Sequence, residues 1–241
     1  MAPNSKQAFL GILMLDTRFP RIAGDAGNIH SYAIPARTAV VTGAESLDIV
    51  IDGLPSPDLV EAFINAAKQL ESDGAVAIVS TCGFLVSIQD QIANAVAIPV
   101  LLSALSLHPQ IWAAHQGKPI GILTASKKDL GQTALKAANV NIKDAYIDGM
   151  EDCRAFTNAI LKPKTEQILE IDSMQVEIAV VKKAENLLKS NPDIAAFLLE
   201  CGNLPPYSDA IARATGRPVY SIIDGANDMI ERATNQARSI T

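Results

Sequence analysis

The stretch TCGFLVSIQDQIANAVAIPV at residues 81–100 has a counterpart, ECGNLPPYSDAIARATGRPV, at residues 200–219 of the same chain. The two stretches align without a gap at a constant offset of 119 residues, so that Cys82 falls on Cys201. Each cysteine ends a short apolar run and is followed by a glycine and a helical pattern. The sequence therefore predicts an internal duplication that repeats a cysteine at the end of a strand.

The rest of the chain alternates between short apolar runs and helical patterns. The apolar runs are typical of buried parallel strands, and they include residues 9–15, 48–52, 75–81, 119–125 and 194–201. The pattern predicts an α/β fold of two pseudo-symmetric, duplicated three-layer halves. Each half has a mainly parallel sheet, and the site lies in the cleft between the halves. We expect residues 1–116 to form the N-terminal half and residues 117–224 the C-terminal half, with a helix at residues 225–241 packed on the first half.

Composition excludes several classes of protein. In 241 residues, 49% are hydrophobic and 19% charged, which favours a large buried core over disorder. The net charge of −6, without a basic cluster, argues against nucleic-acid binding. No apolar run approaches the roughly 18 to 20 residues of a membrane span, and the N-terminus lacks the basic start of a targeting signal. We expect a cytoplasmic protein without a membrane anchor, and the apolar fraction permits a homo-oligomer, a dimer or a tetramer.

The motifs of common cofactor sites are also missing from the sequence. No glycine-rich nucleotide loop and no metal-ligand spacing occurs, so we expect no cofactor and no metal. Three cysteines are too few and too scattered for a disulfide framework. Cys153 has no partner in the repeat, and we interpret it as structural or incidental.

The paired cysteines favour acid/base chemistry at a carbon atom. Ligands of parallel sheets bind at the carboxyl ends of the strands, where both Cys82 and Cys201 are predicted. Two halves that face each other would direct the thiols at a substrate from opposite sides. One thiolate can then remove a proton while the other thiol donates one. Backbone N–H groups after each cysteine can stabilise a thiolate or hold a substrate carboxylate.

A long segment at residues 16–32, after the first strand, is predicted to cover the same cleft. Arg18 and Arg21 could hold a carboxylate there, or they could pair with Asp16 and Asp25 instead. Neutral donors, the loops beside the thiols and two aromatic rings complete the candidate set. The predicted substrate-binding residues are Asp16, Arg18, Asn28, Tyr32, Thr81, Gly83, Phe84, Thr124, Gly202, Asn203 and Tyr207.

Three segments carry a resemblance to a known family: MLDTRFPRIAGDAGN, STCGF and LLECGNLPPYSDA. Together they resemble the aspartate/glutamate/hydantoin racemase superfamily over nearly the whole chain. The third segment is especially similar to the dimethylsulfoniopropionate lyases of that superfamily. The resemblance implies two pseudo-symmetric halves, no cofactor and proton removal from the α-carbon of a small carboxylate by Cys82 and Cys201. In the lyase branch, it implies expulsion of dimethyl sulfide to leave acrylate.

Three functions remain open at this point. The first is a cofactor-independent racemase or epimerase of a small amino acid or related carboxylate, with both thiols as acid/base pair. The second is a lyase of the dimethylsulfoniopropionate type. The third is a non-enzymatic small-ligand binding protein, against which the duplicated thiols argue, because binding alone does not need a thiol on each side.

Overall fold

The computed structural model describes the backbone of residues 8–239 and the side chains up to residue 232. Its first sheet has the strand order β2-β1-β3-β4, and all neighbouring strands are parallel. The strands are β1 (Phe9–Leu15), β2 (Ala36–Val41), β3 (Ala75–Ser80) and β4 (Val100–Leu101). The buried strands β1 and β3 are almost continuously apolar, as expected for strands covered on both faces.

The second sheet repeats the topology of the first. Its strand order is β6-β5-β7-β8, again with parallel neighbours. The strands are β5 (Ile120–Thr124), β6 (Ala145–Gly149), β7 (Ala196–Leu199) and β8 (Val219–Tyr220). The third strand of each half, β3 or β7, ends just before one of the duplicated cysteines. The structure thus confirms the predicted pair of similar α/β halves with parallel sheets.

Helices of very different length connect the strands. The helices are α1 (Ser46–Ile49), α2 (Pro57–Ser72), α3 (Gln89–Ala93), α4 (His108–Ala114), α5 (Gln132–Ala137), α6 (Arg154–Ile160), α7 (Ser173–Ser190), α8 (Ser208–Thr215) and α9 (Ile222–Ser239). In α2, Ser56 accepts a hydrogen bond from the N–H of Leu59 and Pro57 occupies the first turn, so the sequence marks this helix start. In α7 the carboxylate of Asp172 accepts from the N–H of Gln175.

The buried side chains form a large core that both sheets share. One continuous cluster contains Ile12 and Val79 of the first sheet together with Ile122 and Leu198 of the second. The C-terminal helix α9 also contributes to this cluster through Ile222, Ala226 and Ile230, and it packs against β3 and β4. The two halves therefore bury apolar surface against each other.

The structure differs from the sequence prediction at the first crossover. Residues 48–52, predicted as a strand, contain the end of the short helix α1, and Ile49 and Val50 are buried in the core that both sheets share. The second strand is instead β2, an edge strand whose exposed positions weakened its apolar signal. The predicted boundary between residues 116 and 117 stays a prediction. Residues 1–7, 240 and 241, which the predicted halves include, lie outside the described residues.

Candidate active site

The two duplicated thiols line one small cavity between the halves. Cys82 follows β3 and is 8% exposed, and Cys201 follows β7 and is 6% exposed. The cavity has a volume of about 20 Å³, which is room for about one water molecule. The loop after β1 contributes Phe19 and Arg21 to its wall. The site is thus closed over the thiols.

The glycine after each cysteine packs against the residue before the other cysteine. A Cβ atom on Gly83 would collide with the carbonyl and side-chain oxygens of Glu200. A Cβ atom on Gly202 would lie 2.5 Å from the carbonyl oxygen of Thr81. Only glycine permits this approach. The reciprocal contact brings the two cysteine loops together and explains why the glycines recur with the cysteines.

Both thiols are held in the neutral form in this closed site. Burial raises the pKa of Cys82 to about 12, and the nearby Glu200 charge raises it further, while the N–H groups of Phe84 and Leu85 oppose the shift. Burial and the charge of Glu200 also raise the pKa of Cys201 well above its ordinary value. A charge on Cys82 raises the pKa of Cys201 too, because the two sulfur atoms are close. A thiolate therefore requires a further positive charge or a base.

Glu200 is a buried acid in the cavity wall. It is 1% exposed, and its Oε2 atom accepts a hydrogen bond of 2.7 Å from the Thr124 hydroxyl. Its Oε1 atom is buried without a hydrogen-bond partner. Burial raises the pKa of Glu200 to about 7, although the Thr124 hydroxyl and the backbone N–H of Ala125 both work against the shift. The carboxyl group can therefore change its charge near neutral pH.

Arg21 brings a positive charge to the same cavity. Its guanidinium donates to Asp25 at 3.2 Å and to the Thr17 hydroxyl at 3.1 Å, and it lies 4.4 Å from the centre of the Phe19 ring. Asp25 also accepts a hydrogen bond of 2.7 Å from the side-chain amide of Asn203. The loop after β1 is thereby tied directly to the segment that follows Cys201.

Among the predicted site residues, one group lines the cavity: Thr81, Cys82, Gly83, Phe84, Cys201 and Asn203. Gly202 lies next to it, where its carbonyl accepts from the N–H of Ala26 at 2.9 Å. Thr124 is buried behind the cavity and reaches it only through Glu200.

The other predicted residues lie outside the cavity wall. Asp16 pairs with Lys164, which lowers the pKa of that carboxyl group, and Arg18 is exposed. The side chain of Asn28 donates to the carbonyl of Arg21 at 2.9 Å, and the Tyr32 hydroxyl donates to Ala26 at 2.6 Å. These two residues shape the loop. Tyr207 is buried in the core of the second half.

The sequence predicts only some of the residues that line the cavity. The additional residues are Leu15, Phe19, Arg21, Ser46, Val50, Ala125, Ile160 and Glu200. From the sequence, Arg21 is a candidate partner of the substrate carboxylate only together with Arg18. For Glu200 a signal existed, because an acid interrupts the apolar run AFLLEC at the end of β7. Acidic residues are seldom fully buried without a specific reason.

Solved structures of racemases and of a decarboxylase have similar folds. Allantoin racemase from Pseudomonas fluorescens superimposes with a TM-score of 0.64 at 15% identity, covering 95% of this chain and 92% of that one. Unliganded arylmalonate decarboxylase gives 0.55 at 15% identity, with coverage of 93% and 92%. Glutamate racemase from Francisella tularensis gives 0.54 at 13%, with 97% and 83%. The fold is that of the aspartate/glutamate/hydantoin racemase superfamily.

Curated relatives identify a branch within this superfamily. The dimethylsulfoniopropionate lyase of Durusdinium sp. clade D is 32% identical over 244 residues, which cover 98% of this chain and 78% of the relative. Dimethylsulfoniopropionate lyase 7 of Emiliania huxleyi is 28% identical over 239 residues, covering 95% and 68%. No protein-family model matches the sequence. The chain belongs to the dimethylsulfoniopropionate lyase family of the racemase superfamily.

The helices of residues 8–239 include none that is long and apolar enough to cross a membrane.

Proposed function

We propose that the protein eliminates dimethyl sulfide from dimethylsulfoniopropionate and releases acrylate. The observation that carries the proposal is the charge pattern of the closed cavity. Among the described residues that line it, Arg21 is the only cation and Glu200 the only carboxyl group, and both thiols lie between apolar walls. The curated relatives, which carry the name of this activity, support the same substrate.

The charge pattern fits a substrate with one carboxylate and one cationic group. Arg21 can hold the carboxylate with two parallel hydrogen bonds. The ring of Phe84 can face the sulfonium, because cations bind to aromatic faces. Aspartate and glutamate carry a second carboxylate. In this cavity it would meet Glu200, and like charges in a buried site repel each other.

The elimination needs a base at the α-carbon. A thiolate of Cys82 or Cys201 takes the α-proton and becomes a thiol, while the carbon electrons form the new double bond. The bond between the β-carbon and sulfur breaks, its electron pair stays on sulfur, and neutral dimethyl sulfide leaves. Arg21 and the N–H groups beside the cysteines stabilise the negative charge that develops on the substrate carboxylate. The apolar wall favours the loss of the sulfonium charge.

A second candidate is a racemase or epimerase that acts on a small carboxylate. The observation that favours it is the thiol on each side of the cavity, since inversion needs a base on one face and an acid on the other. The first step, removal of the α-proton, is the same in both reactions. The two differ in whether a group leaves from the β-carbon.

One incubation distinguishes the two candidates. We expect the protein in deuterium oxide to convert dimethylsulfoniopropionate into dimethyl sulfide and acrylate, both detected by NMR. Aspartate, glutamate and a neutral amino acid are incubated in parallel. Exchange of an amino-acid α-proton for deuterium, with dimethylsulfoniopropionate unchanged, would establish the racemase in place of the lyase.

The thiols are tested by single substitutions. We expect one of the variants Cys82→Ser and Cys201→Ser, the one that removes the base, to reduce the rate of acrylate formation by about 100-fold or more, because a serine hydroxyl is a much weaker acid than a thiol. Cys153→Ser is the matched control. Cys153 does not line the cavity, and its substitution should leave the rate within about twofold of the wild type. Full activity of the Cys82→Ser, Cys201→Ser double variant would refute thiol chemistry.

A further inference from the structure

The carboxyl group of Glu200 has an oxygen atom that the fold leaves without a bond. Oε2 is held by the Thr124 hydroxyl at 2.7 Å, whereas Oε1 is fully buried and has no hydrogen-bond partner. Buried polar atoms in proteins nearly always have a partner, and a missing partner costs about 1 to 3 kcal/mol. The unpartnered atom belongs to the wall of the cavity that holds both thiols, so a function there is the simplest reason to retain it.

The Oε1 atom lies next to the chain segments of both cysteines. Glu200 immediately precedes Cys201, and Oε1 lies against Gly83, the residue that follows Cys82. In the closed site neither thiol donates to Oε1, and Cys201 donates to Asn203 Oδ1 at 3.5 Å, so a proton reaches Oε1 only when a bound substrate rearranges these groups. The negative charge of Glu200 raises the pKa of both thiols. No other carboxyl group among the described residues lines the cavity.

The proposed elimination releases one proton, and the two thiols alone do not provide a path by which it leaves the catalytic thiol. The base must be a thiolate when the substrate arrives and is a thiol when the products leave. Dimethyl sulfide and acrylate carry no proton away from the thiol. In a racemase, by contrast, the second thiol returns a proton to the substrate. Each elimination therefore leaves one proton in the small cavity that both thiols line.

We propose that Glu200 is the proton acceptor of the catalytic thiol. When the substrate binds, the S–H proton passes to Oε1, which gives a thiolate and a neutral carboxyl group. The thiolate then takes the α-proton, and the products leave. The neutral carboxyl group finally loses its proton to water, which restores the carboxylate and completes the balance of dimethylsulfoniopropionate to dimethyl sulfide, acrylate and a proton. The inference rests on the proposed elimination.

The acidities of these groups define the resting state of this cycle, and they make proton transfer from Cys82 to Glu200 unfavourable until a substrate is bound. The resting state has a thiol and a carboxylate above neutral pH, because the pKa of Glu200 is about 7 and that of Cys82 about 12. A bound sulfonium cation favours the thiolate, since an opposite charge nearby stabilises an ionised group. An acceptor with a pKa near the working pH can both take the proton and release it.

The first test replaces the carboxyl group by an amide of the same shape. We expect Glu200→Gln to reduce kcat for acrylate formation by about 100-fold or more, with a much smaller change in KM. In the wild type the rate should rise with pH through about 7, because Glu200 must be ionised to accept a proton. This rise should be absent in the variant. Unchanged kcat and an unchanged pH profile in Glu200→Gln would overturn the proposal and leave the elimination standing.

The second test shifts the acidity of Glu200 without removing it. The Thr124 hydroxyl lowers the pKa of Glu200, so Thr124→Val should move the rise of the rate to higher pH, whereas Thr124→Ser should keep the wild-type profile. A role of Glu200 in packing alone would not move the profile. These two variants also keep the proposal testable if Glu200→Gln does not fold. The same pH dependence of the rate in Thr124→Val and Thr124→Ser would contradict the proposal.

A third readout does not depend on turnover. Thiolates absorb in the ultraviolet, and the Cys82→Ser, Cys201→Ser double variant supplies the background. In Glu200→Gln the thiolate absorbance should appear at lower pH than in the wild type, because a negative charge beside both thiols is gone. Identical titration curves would overturn the proposal. If the wild type turns over none of the substrates, the proposed function fails and so does the role of Glu200 in it, whereas the titration alone reports the charge of Glu200 beside the thiols.

Discussion

Arg18 and Arg21 lie in the same loop, three positions apart, and the fold gives them different surroundings. Arg21 contacts Asp25 and faces the cavity, whereas the side chain of Arg18 is exposed and only its backbone N–H bonds to Gln167, at 2.9 Å. Since only Arg21 can reach a bound substrate, it is the arginine that we expect to hold the substrate carboxylate.

This difference can be measured with a matched pair of variants. Arg21→Gln should raise KM for dimethylsulfoniopropionate about tenfold or more, because a charge-assisted hydrogen bond to the carboxylate is lost. Arg18→Gln should leave KM within about twofold. Arg21→Lys should recover only part of the affinity, because an ammonium group cannot form the two parallel bonds. Steady-state kinetics give KM for each variant. A larger increase of KM in Arg18→Gln than in Arg21→Gln would contradict the assignment.

Single residues also show how much of the candidate site the sequence predicts. The repeat located Cys82 and Cys201, because a duplicated residue at the end of a duplicated strand must fall at an equivalent place. It could not locate Arg21 or Phe19, since these belong to an irregular loop whose path depends on contacts with the other half. Tyr32 was predicted to touch the substrate, but its position in the loop lets the hydroxyl bond the carbonyl of Ala26 instead.

Among the elements of the fold, the irregular loop between β1 and β2 decides whether the cavity is closed. Asp25 is its principal anchor, since this buried carboxylate accepts from the N–H of Gly27 at 2.7 Å, from Asn203 at 2.7 Å and from Arg21 at 3.2 Å. The loop is also joined to α9, because the N–H of Ala33 donates to Asn227 at 3.2 Å.

We expect Asp25→Asn to loosen this loop. The amide has one acceptor oxygen in place of two, so at least one bond to Arg21 or Asn203 is lost. Amide hydrogen exchange at residues 16–35 should become about tenfold faster or more, which corresponds to a lost hydrogen bond to a charged group. The control is Asp48→Asn, at an exposed position of α1. Equal exchange rates in both variants would show that Asp25 does not anchor the loop.

The sequence predicts the long apolar strands well. β1 was predicted at the bounds that the structure has, because a strand that is buried on both faces leaves a continuous apolar run. Residues 48–52 carry a similar run for a different reason, since Ile49 and Val50 pack into the core from the end of a short helix. Local sequence cannot distinguish these two kinds of burial, because the difference lies in distant contacts. The two-residue strands β4 and β8 are edges with few bonds to extend them.

The molecule as a whole is held together by the core that both sheets share. Because Ile12 and Ile122 belong to one buried cluster, separation of the halves would expose apolar surface from each. This coupling was not visible in the sequence, where the repeat alone is equally compatible with two independent domains joined by a linker.

The shared core predicts that both halves unfold in one transition. Phe156 is buried in the second half, and the single tryptophan, Trp112, packs against the shared cluster through α4. Phe156→Ala should cost about 3 to 5 kcal/mol and shift the unfolding curve followed by Trp112 fluorescence as far as the curve followed by circular dichroism. A fluorescence transition that stays at the wild-type temperature while the dichroism transition moves would show that the halves unfold separately.

The closed cavity has a kinetic consequence for any ligand. A substrate of several carbon atoms needs more room than one water molecule, so we expect the wall that Phe19 and Arg21 form to move before it reaches the thiols. The association rate is then the collision rate multiplied by the fraction of molecules that are open, which lies below the diffusional value. Binding becomes a two-step process, and the same gate delays the departure of acrylate. We therefore expect the hydrogen bonds of Asp25 to influence how long a ligand stays in the cavity as well as the shape of the loop.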